Sequence, residues 1–153
     1  MSNYVILTDS GTDFTKEMIE ELDVELLDLW VTRENEEPVP NSSLDLSEFY
    51  AFLREKKSAS TAAVNIDSFI EIMTPILEAG KDILYLGFSS GLSSTYASGK
   101  VAADELMEKY PDRKIYTVDT LAASLGQGLL VYLAAKKRLA GESIEAVRDY
   151  VEE

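Results

Sequence analysis

Two spacings of apolar residues alternate along the chain. Short, nearly continuous apolar runs read as buried strands, and longer stretches with apolar positions three or four apart read as amphipathic helices. Tyr4-Val5-Ile6-Leu7-Thr8 predicts a first strand; residues 9–13 supply turn and capping side chains, and 15–22 predict a helix. The run 24–31 predicts a second strand. Positions 33–43 are polar, hold Pro38 and Pro40, and predict a loop, after which Leu46, Phe49, Tyr50 and Leu53 mark a helix reaching about Lys56. Phe69, Ile70, Met73, Ile76 and Leu77 mark another, with Asp67 as its N-cap and Gly80 at its end. Beyond it, 82–88 predicts a strand, 93–109 a helix, 115–118 a strand and 122–139 a helix; Gly141 then stops the chain and Ser143 caps a last helix over 144–153. Strands alternating with helices imply βαβ units: an α/β domain with a parallel sheet and helices on both faces.

Composition narrows what such a domain can do. The 153 residues are 46% apolar and 27% charged, as in a globular domain. No apolar run approaches the roughly 18–20 residues needed to cross a bilayer. Met1-Ser2-Asn3 leads straight into the first strand without a basic segment or long apolar stretch, so a cytoplasmic location is expected. The formal charge of −14 repels nucleic-acid phosphate and anionic membrane alike, which argues against both as partners. With no cysteine and no histidine, the chain offers neither thiolate chemistry nor an imidazole base or ligand. The final helix lacks a C-cap and ends on Glu152 and Glu153, at the negative end of its dipole. On that ground residues 1–153 are expected to be part of a longer chain.

In an open parallel sheet, ligands gather outside the carboxyl ends of the strands. Three predicted post-strand loops are rich in hydroxyls: Thr8-Asp9-Ser10-Gly11-Thr12-Asp13, Ser89-Ser90-Gly91-Leu92-Ser93-Ser94-Thr95-Tyr96, and Asp119-Thr120. In the second, Gly91 permits a tight turn, and the following residues open a helix whose first N–H groups suit an anion. Hydroxyls of Ser90, Ser93 and Ser94 would add donors to a carboxylate or phosphate; plain N-capping by Ser93 is the alternative. The segment 58–64, between two predicted helices, is small and hydroxylic, and suits either close approach of a ligand or a simple turn. In the first loop, Asp9 is read as a loop-shaping acceptor that leaves Ser10, and with it Thr12, facing the crevice. The rival reading makes Asp9, with Asp119, the centre of a Mg²⁺-dependent phosphotransfer or phosphatase site. Against it, a haloacid-dehalogenase-type loop needs a second aspartate two positions on, where this chain has Gly11. A protein-interaction module with an incidental pocket is a third class. None of these loops contains Lys or Arg.

These loops, taken in order, resemble the DegV family. The resemblance rests on T-D-S-G-T-D at 8–13, D-L-S-E-F-Y at 45–50, S-T-A at 60–62, S-S-G-L-S-S-T-Y at 89–96 and V-D-T-L-A-A-S-L-G-Q-G at 118–128, and it spans essentially the whole chain. It implies the Rossmann-like first domain of a cytoplasmic carrier that binds one long-chain fatty acid, is not itself an enzyme, and needs no cofactor or metal. Some members present the acyl group to a separate ATP-dependent fatty acid kinase, which makes such a kinase the implied partner. Carried over by motif, Thr61 and Ser93 would hold the carboxylate, with Ser94 and Ser90 in the same loop and Ser10 nearby. Ala62-Ala63-Val64 replaces the S-Q-P-type stretch usual after the threonine, and 32–43 also diverges. The resemblance further implies a C-terminal domain that closes over the ligand and supplies basic residues.

Overall fold

The computed structural model describes residues 3–153. Four strands form one parallel sheet: β1 (Tyr4–Asp9), β2 (Val24–Leu27), β6 (Asp82–Gly87) and β7 (Ile115–Asp119), in the order β2-β1-β6-β7. Its register is set by pairs such as Ile6 with Val24, Ile6 with Leu84 and Leu84 with Tyr116. Because successive strand residues point to opposite faces, the sheet has two cores. On one face Ile6, Leu84, Leu86 and Val118 pack with Leu22 of α1 (Lys16–Leu22), Val131, Ala134 and Ala135 of α5 (Ser124–Leu139), and Val147 and Val151 of α6 (Ile144–Glu152). On the other, Leu7, Ile83, Tyr85 and Ile115 pack with Phe69, Met73 and Leu77 of α3 (Ile66–Glu78) and Ala102, Ala103 and Leu106 of α4 (Thr95–Lys109). The α/β architecture with helices on both faces is therefore as expected.

The expected second strand over 24–31 is in fact two strands in two sheets. The chain turns at Asp28, whose carboxylate accepts from the Ser42 N–H and hydroxyl, each at 2.8 Å. Trp30–Arg33 then forms β3, the middle of a small antiparallel sheet in the order β4-β3-β5. Its edges are β4 (Val39–Pro40), inside the expected loop, and β5 (Ala59–Ala62), inside the segment read as turn or ligand loop. Trp30 pairs with Ala62 and Val31 with Thr61. Between β4 and β5 lies α2 (Leu46–Arg54), capped by Asp45.

Helix entries differ from expectation at four places. Asn65, not Asp67, caps α3 by accepting from the Ser68 N–H. Thr15 caps α1, and the residues expected to do so instead form a single 3-10 turn, Ser10–Thr12. The α4 helix begins at Thr95 rather than at Ser93, and α5 at Ser124 rather than at Ala122. Ser143 caps α6 as expected. Among the described residues, no helix is long and apolar enough to cross a membrane.

Candidate functional site

The carboxyl ends of β1, β6 and β7 bring their following loops to one edge of the sheet, and the small sheet folds over that edge. Between them lies a cleft of about 600 Å³ whose lining includes Ser10, Asn41, Thr61, Phe88, Ser93, Ser94 and Ser124. That volume is in the range of small-molecule sites. Four of the expected hydroxyl residues, Ser10, Thr61, Ser93 and Ser94, therefore converge although they come from three separate segments. Ser90 does not line the cleft. It is exposed, and its N–H donates to Asp119 Oδ1 at 3.2 Å. Gly91 and the fully buried Thr12 are likewise outside the lining; the Gly91 N–H donates to Ser89 Oγ at 3.3 Å, closing the tight turn expected of it. The cleft contains no Lys or Arg.

Asp9 holds the floor together. Its side chain is wholly buried, with Oδ1 accepting from Gly11 N–H at 3.0 Å and Gln127 Nε2 at 3.1 Å, and Oδ2 accepting from Phe88 N–H at 2.9 Å and the Tyr85 hydroxyl at 3.2 Å. One carboxylate thus ties the β1 loop to the end of β6 and to α5. Burial pushes its pKa up from the ordinary carboxylate value, against the opposing pull of the Phe88, Gln127, Gly11 and Tyr85 donors. The Tyr85 phenol is itself pushed up by burial and by the neighbouring Asp9, so it stays protonated and donates. A side chain methyl at position 11 would lie 2.8 Å from Asp9 Oδ1 and 2.9 Å from the Phe88 ring, so glycine is required there by close approach. This geometry counts against Asp9 as nucleophile or Mg²⁺ ligand: both oxygens are turned into the protein and used. Asp119 Oδ1 is also committed, to the N–H groups of Ser90 and Leu121.

The hydroxyl groups are connected rather than scattered. Ser10 Oγ accepts from the Leu29 N–H at 2.9 Å, which leaves its own proton for a ligand. Ser93 Oγ accepts from the Thr95 N–H at 3.2 Å and is hydrogen-bonded to Thr95 Oγ1 at 3.0 Å. Thr95 Oγ1 in turn accepts from the Val64 N–H at 3.2 Å. Ser93 therefore braces the entry of α4, one residue before its N-cap Ser94, and lines the cleft at once. Thr61 reaches the site on β5, held there by its pairing with Val31.

Sequence reasoning missed Tyr85, Thr95 and Gln127. Gln127 left a readable signal: a polar residue at the head of the buried helical stripe continued by Val131, Ala134 and Ala135. Tyr85 had none, since within an apolar strand it reads as core.

A family model described as "Uncharacterised protein, DegV family" matches residues 3–153. A DegV domain-containing protein of Clostridium perfringens is 46% identical over 155 residues, taking in 100% of this chain and 53% of that protein. Among solved structures, a DegV family protein from Thermus thermophilus, described by its fatty acid binding, superposes with a TM-score of 0.85 at 28% identity, over 98% of this chain and 52% of the other. A protein from Thermotoga maritima, described as revealing a fatty acid binding function, does so with a TM-score of 0.84 at 29% identity, over 99% of this chain and 55% of the other. The chain spans about half the length of the curated relatives it matches.

Proposed function

The chain belongs to the DegV family, and from that membership and the geometry of the cleft we propose that it binds a long-chain fatty acid, holding the carboxylate with Ser10, Thr61, Ser93 and Ser94. The observation that carries this reading is the convergence of those hydroxyls on one cleft with no basic side chain among its walls. These walls meet an anion through neutral donors, which fix the direction of a carboxylate and leave its charge to be balanced from outside the cleft.

The Val64–Thr95–Ser93 chain makes Ser93 the strongest of these donors. Hydroxyl protons rotate, so when a carboxylate arrives Thr95 can donate to Ser93 Oγ and Ser93 to the ligand, with the Val64 N–H polarising the series from behind. Affinity comes from the tail. Burying about 15 methylenes contributes on the order of 12 kcal/mol gross, before association and ordering costs are subtracted. The protein does no covalent chemistry of its own in this scheme. Its carboxyl-edge site offers the head group to a fatty acid kinase that forms the acyl phosphate, and residues 1–153 act as the N-terminal lipid-binding half, with a further domain, as in the longer relatives, supplying the opposite wall and a cation.

The test is denaturing mass spectrometry of an organic extract of the purified full-length protein. A long-chain fatty acid in near-stoichiometric amount, lost in the Thr61→Ala and Ser93→Ala variants, is the expected result. A folded protein that carries none and takes up none when it is supplied overturns the reading.

A further inference from the structure

One wall of the hydroxyl cleft is the entry of α5, where Ala123 and Ser124 reach its lining. The backbone there is strained. Ser124 is left-handed at φ 52°, and so is Leu121, three residues earlier, at φ 51°. A non-glycine residue in that region costs about 1–3 kcal/mol and persists only where its surroundings hold it. The chain enters α5 through Ala122-Ala123-Ser124-Leu125-Gly126, a turn so tight that a methyl on Gly126 would lie 3.4 Å from that of Ala122. A strained serine between a strand and a helix, with small residues two positions before and two after it, is the arrangement that lifts a nucleophilic hydroxyl out of a turn in α/β hydrolases.

The hydroxyl has a proton acceptor. Ser124 Oγ donates to Asp13 Oδ2 at 2.5 Å. Asp13 is itself fixed: at φ 56° it closes the 3-10 turn, its N–H donating to the Ser10 carbonyl at 3.3 Å. The two segments that carry the pair are locked together. Gln127, fully buried one turn into α5, donates to Asp9 Oδ1 at 3.1 Å and to Thr8 Oγ1 at 3.3 Å. Gly128 brings the helix so near the 3-10 turn that a methyl there would lie 3.1 Å from the Thr12 carbonyl. The N-cap residue Ala123 makes no side-chain cap. The Leu125 N–H, second in the helix, has no intrahelical acceptor, and the N–H after a nucleophilic serine is the one that stabilises an oxyanion in the hydrolase turn.

We infer that Ser124 is an acyl-accepting nucleophile, with Asp13 as its proton acceptor, that takes a long-chain acyl group from a donor with a good leaving group, an acyl phosphate or a thioester. In that step the bond from Ser124 Oγ to the acyl carbon forms and the bond from that carbon to the leaving oxygen or sulfur breaks. The leaving group departs with the electron pair, and the hydroxyl proton passes to Asp13. A carboxylate is a weaker base than an imidazole, and residues 1–153 contain no histidine, so alkyl esters and amides are too poor as donors. For the same reason no imidazole among these residues activates a deacylating water, and the acyl-serine persists. The inference rests on the fatty-acid reading for the acyl group and extends it: hydroxyl donors hold the free acid, and a covalent bond holds the activated one.

The experiment treats full-length protein with p-nitrophenyl laurate, a chromogenic activated ester. A burst of about one equivalent of p-nitrophenolate is expected, with one lauroyl group mapped to Ser124 by tandem mass spectrometry and no adduct from ethyl laurate. Asp13→Asn should slow the burst about a hundredfold or more. Ser124→Gly, which suits the left-handed backbone and so keeps the fold, should abolish it. Lauroyl phosphate and lauroyl coenzyme A, incubated separately, then tell which donor loads Ser124, and an adduct from neither overturns the donor assignment. Adducts confined to other side chains, or a burst unchanged in Ser124→Gly, overturn the inference, while palmitate bound by the same protein leaves the fatty-acid reading standing. A folded protein that takes up neither palmitate nor ester overturns both.

Discussion

Replacing Asp9 with asparagine tests whether that carboxylate builds the site or reacts in it. The carboxylate accepts four hydrogen bonds, two on each oxygen. An amide can accept on one oxygen only. If the new NH₂ takes the place of Oδ2, the Tyr85 hydroxyl can rotate to accept from it, but the Phe88 N–H is left facing a donor. If it takes the place of Oδ1, Gln127 can flip to present its oxygen, but the Gly11 N–H is left facing a donor and Gln127 gives up its 3.3 Å bond to Thr8. Either arrangement orphans one buried backbone N–H, at a cost of about 1–3 kcal/mol. For a chain of this length each kcal/mol lowers the melting temperature by about 2–4 °C, so Asp9→Asn should melt about 2–12 °C below wild type. Asp9→Ala orphans all four donors and should cost upward of about 4 kcal/mol. Calorimetric melting of the purified proteins reads the effect. A melting temperature for Asp9→Asn within about a degree of wild type would refute the reasoning, and Mg²⁺-dependent phosphatase turnover abolished in such an intact variant would return Asp9 to the role of nucleophile.

Three further predictions follow from individual contacts. Burial raises the Asp9 pKa in the folded protein, so the folded state holds its proton up to a higher pH than the unfolded chain does. The stability margin of wild type over Asp9→Asn should therefore grow as pH falls from the raised folded value toward the unfolded value of about 4, and denaturant titrations at stepped pH should find it flat outside that window; a margin that shrinks on acidification would contradict the burial argument. A methyl at position 128 would lie 2.9 Å from the Phe14 ring and 3.1 Å from the Thr12 carbonyl, so Gly128→Ala should destabilise by about 1–3 kcal/mol in denaturant melts, and unchanged stability would mean that α5 sits farther from the 3-10 turn. Asn65→Ala removes the cap of α3 and should cost about 1 kcal/mol in the same melts, whereas Asp67→Ala, outside the cap, should cost at most a few tenths.

How far this fold can be read from its sequence depends on whether an element is held by its side chains or by its neighbours. The central strands β1 and β6 announce themselves because both of their faces are buried, and burial on both faces demands a continuous apolar run. The same rule misleads at 24–31, where apolar residues continue through a turn that Asp28 makes by binding Ser42, fourteen positions away in sequence. Strand β5 fails for the opposite reason. Ala59, Ser60, Thr61 and Ala62 are all exposed, so no alternation marks them, and the strand exists because β3 offers a partner backbone.

The candidate site divides along the same line. Ser10, Ser93 and Ser94 could be placed from physics because each follows a legible strand, and ligands collect at that edge. Thr61 stands on a strand with no pattern of its own, so only the family resemblance singled it out, and the antiparallel pairing brings it to the cleft. Asp9 was legible as a loop-shaping residue, but the contacts that shape the site were not: Asp9 and Gln127 meet across 118 positions, and Asp13 and Ser124 across 111. Contacts of that separation leave no periodicity behind. What they leave is a polar residue where the pattern requires an apolar one, as at Gln127 among the buried positions of α5. A buried polar side chain must find a partner or cost the fold several kcal/mol, so each such exception in a legible helix or strand points to a second element converging on the same place. In this chain the exceptions at Asp9 and Gln127 point to each other, and the cleft lies directly above them.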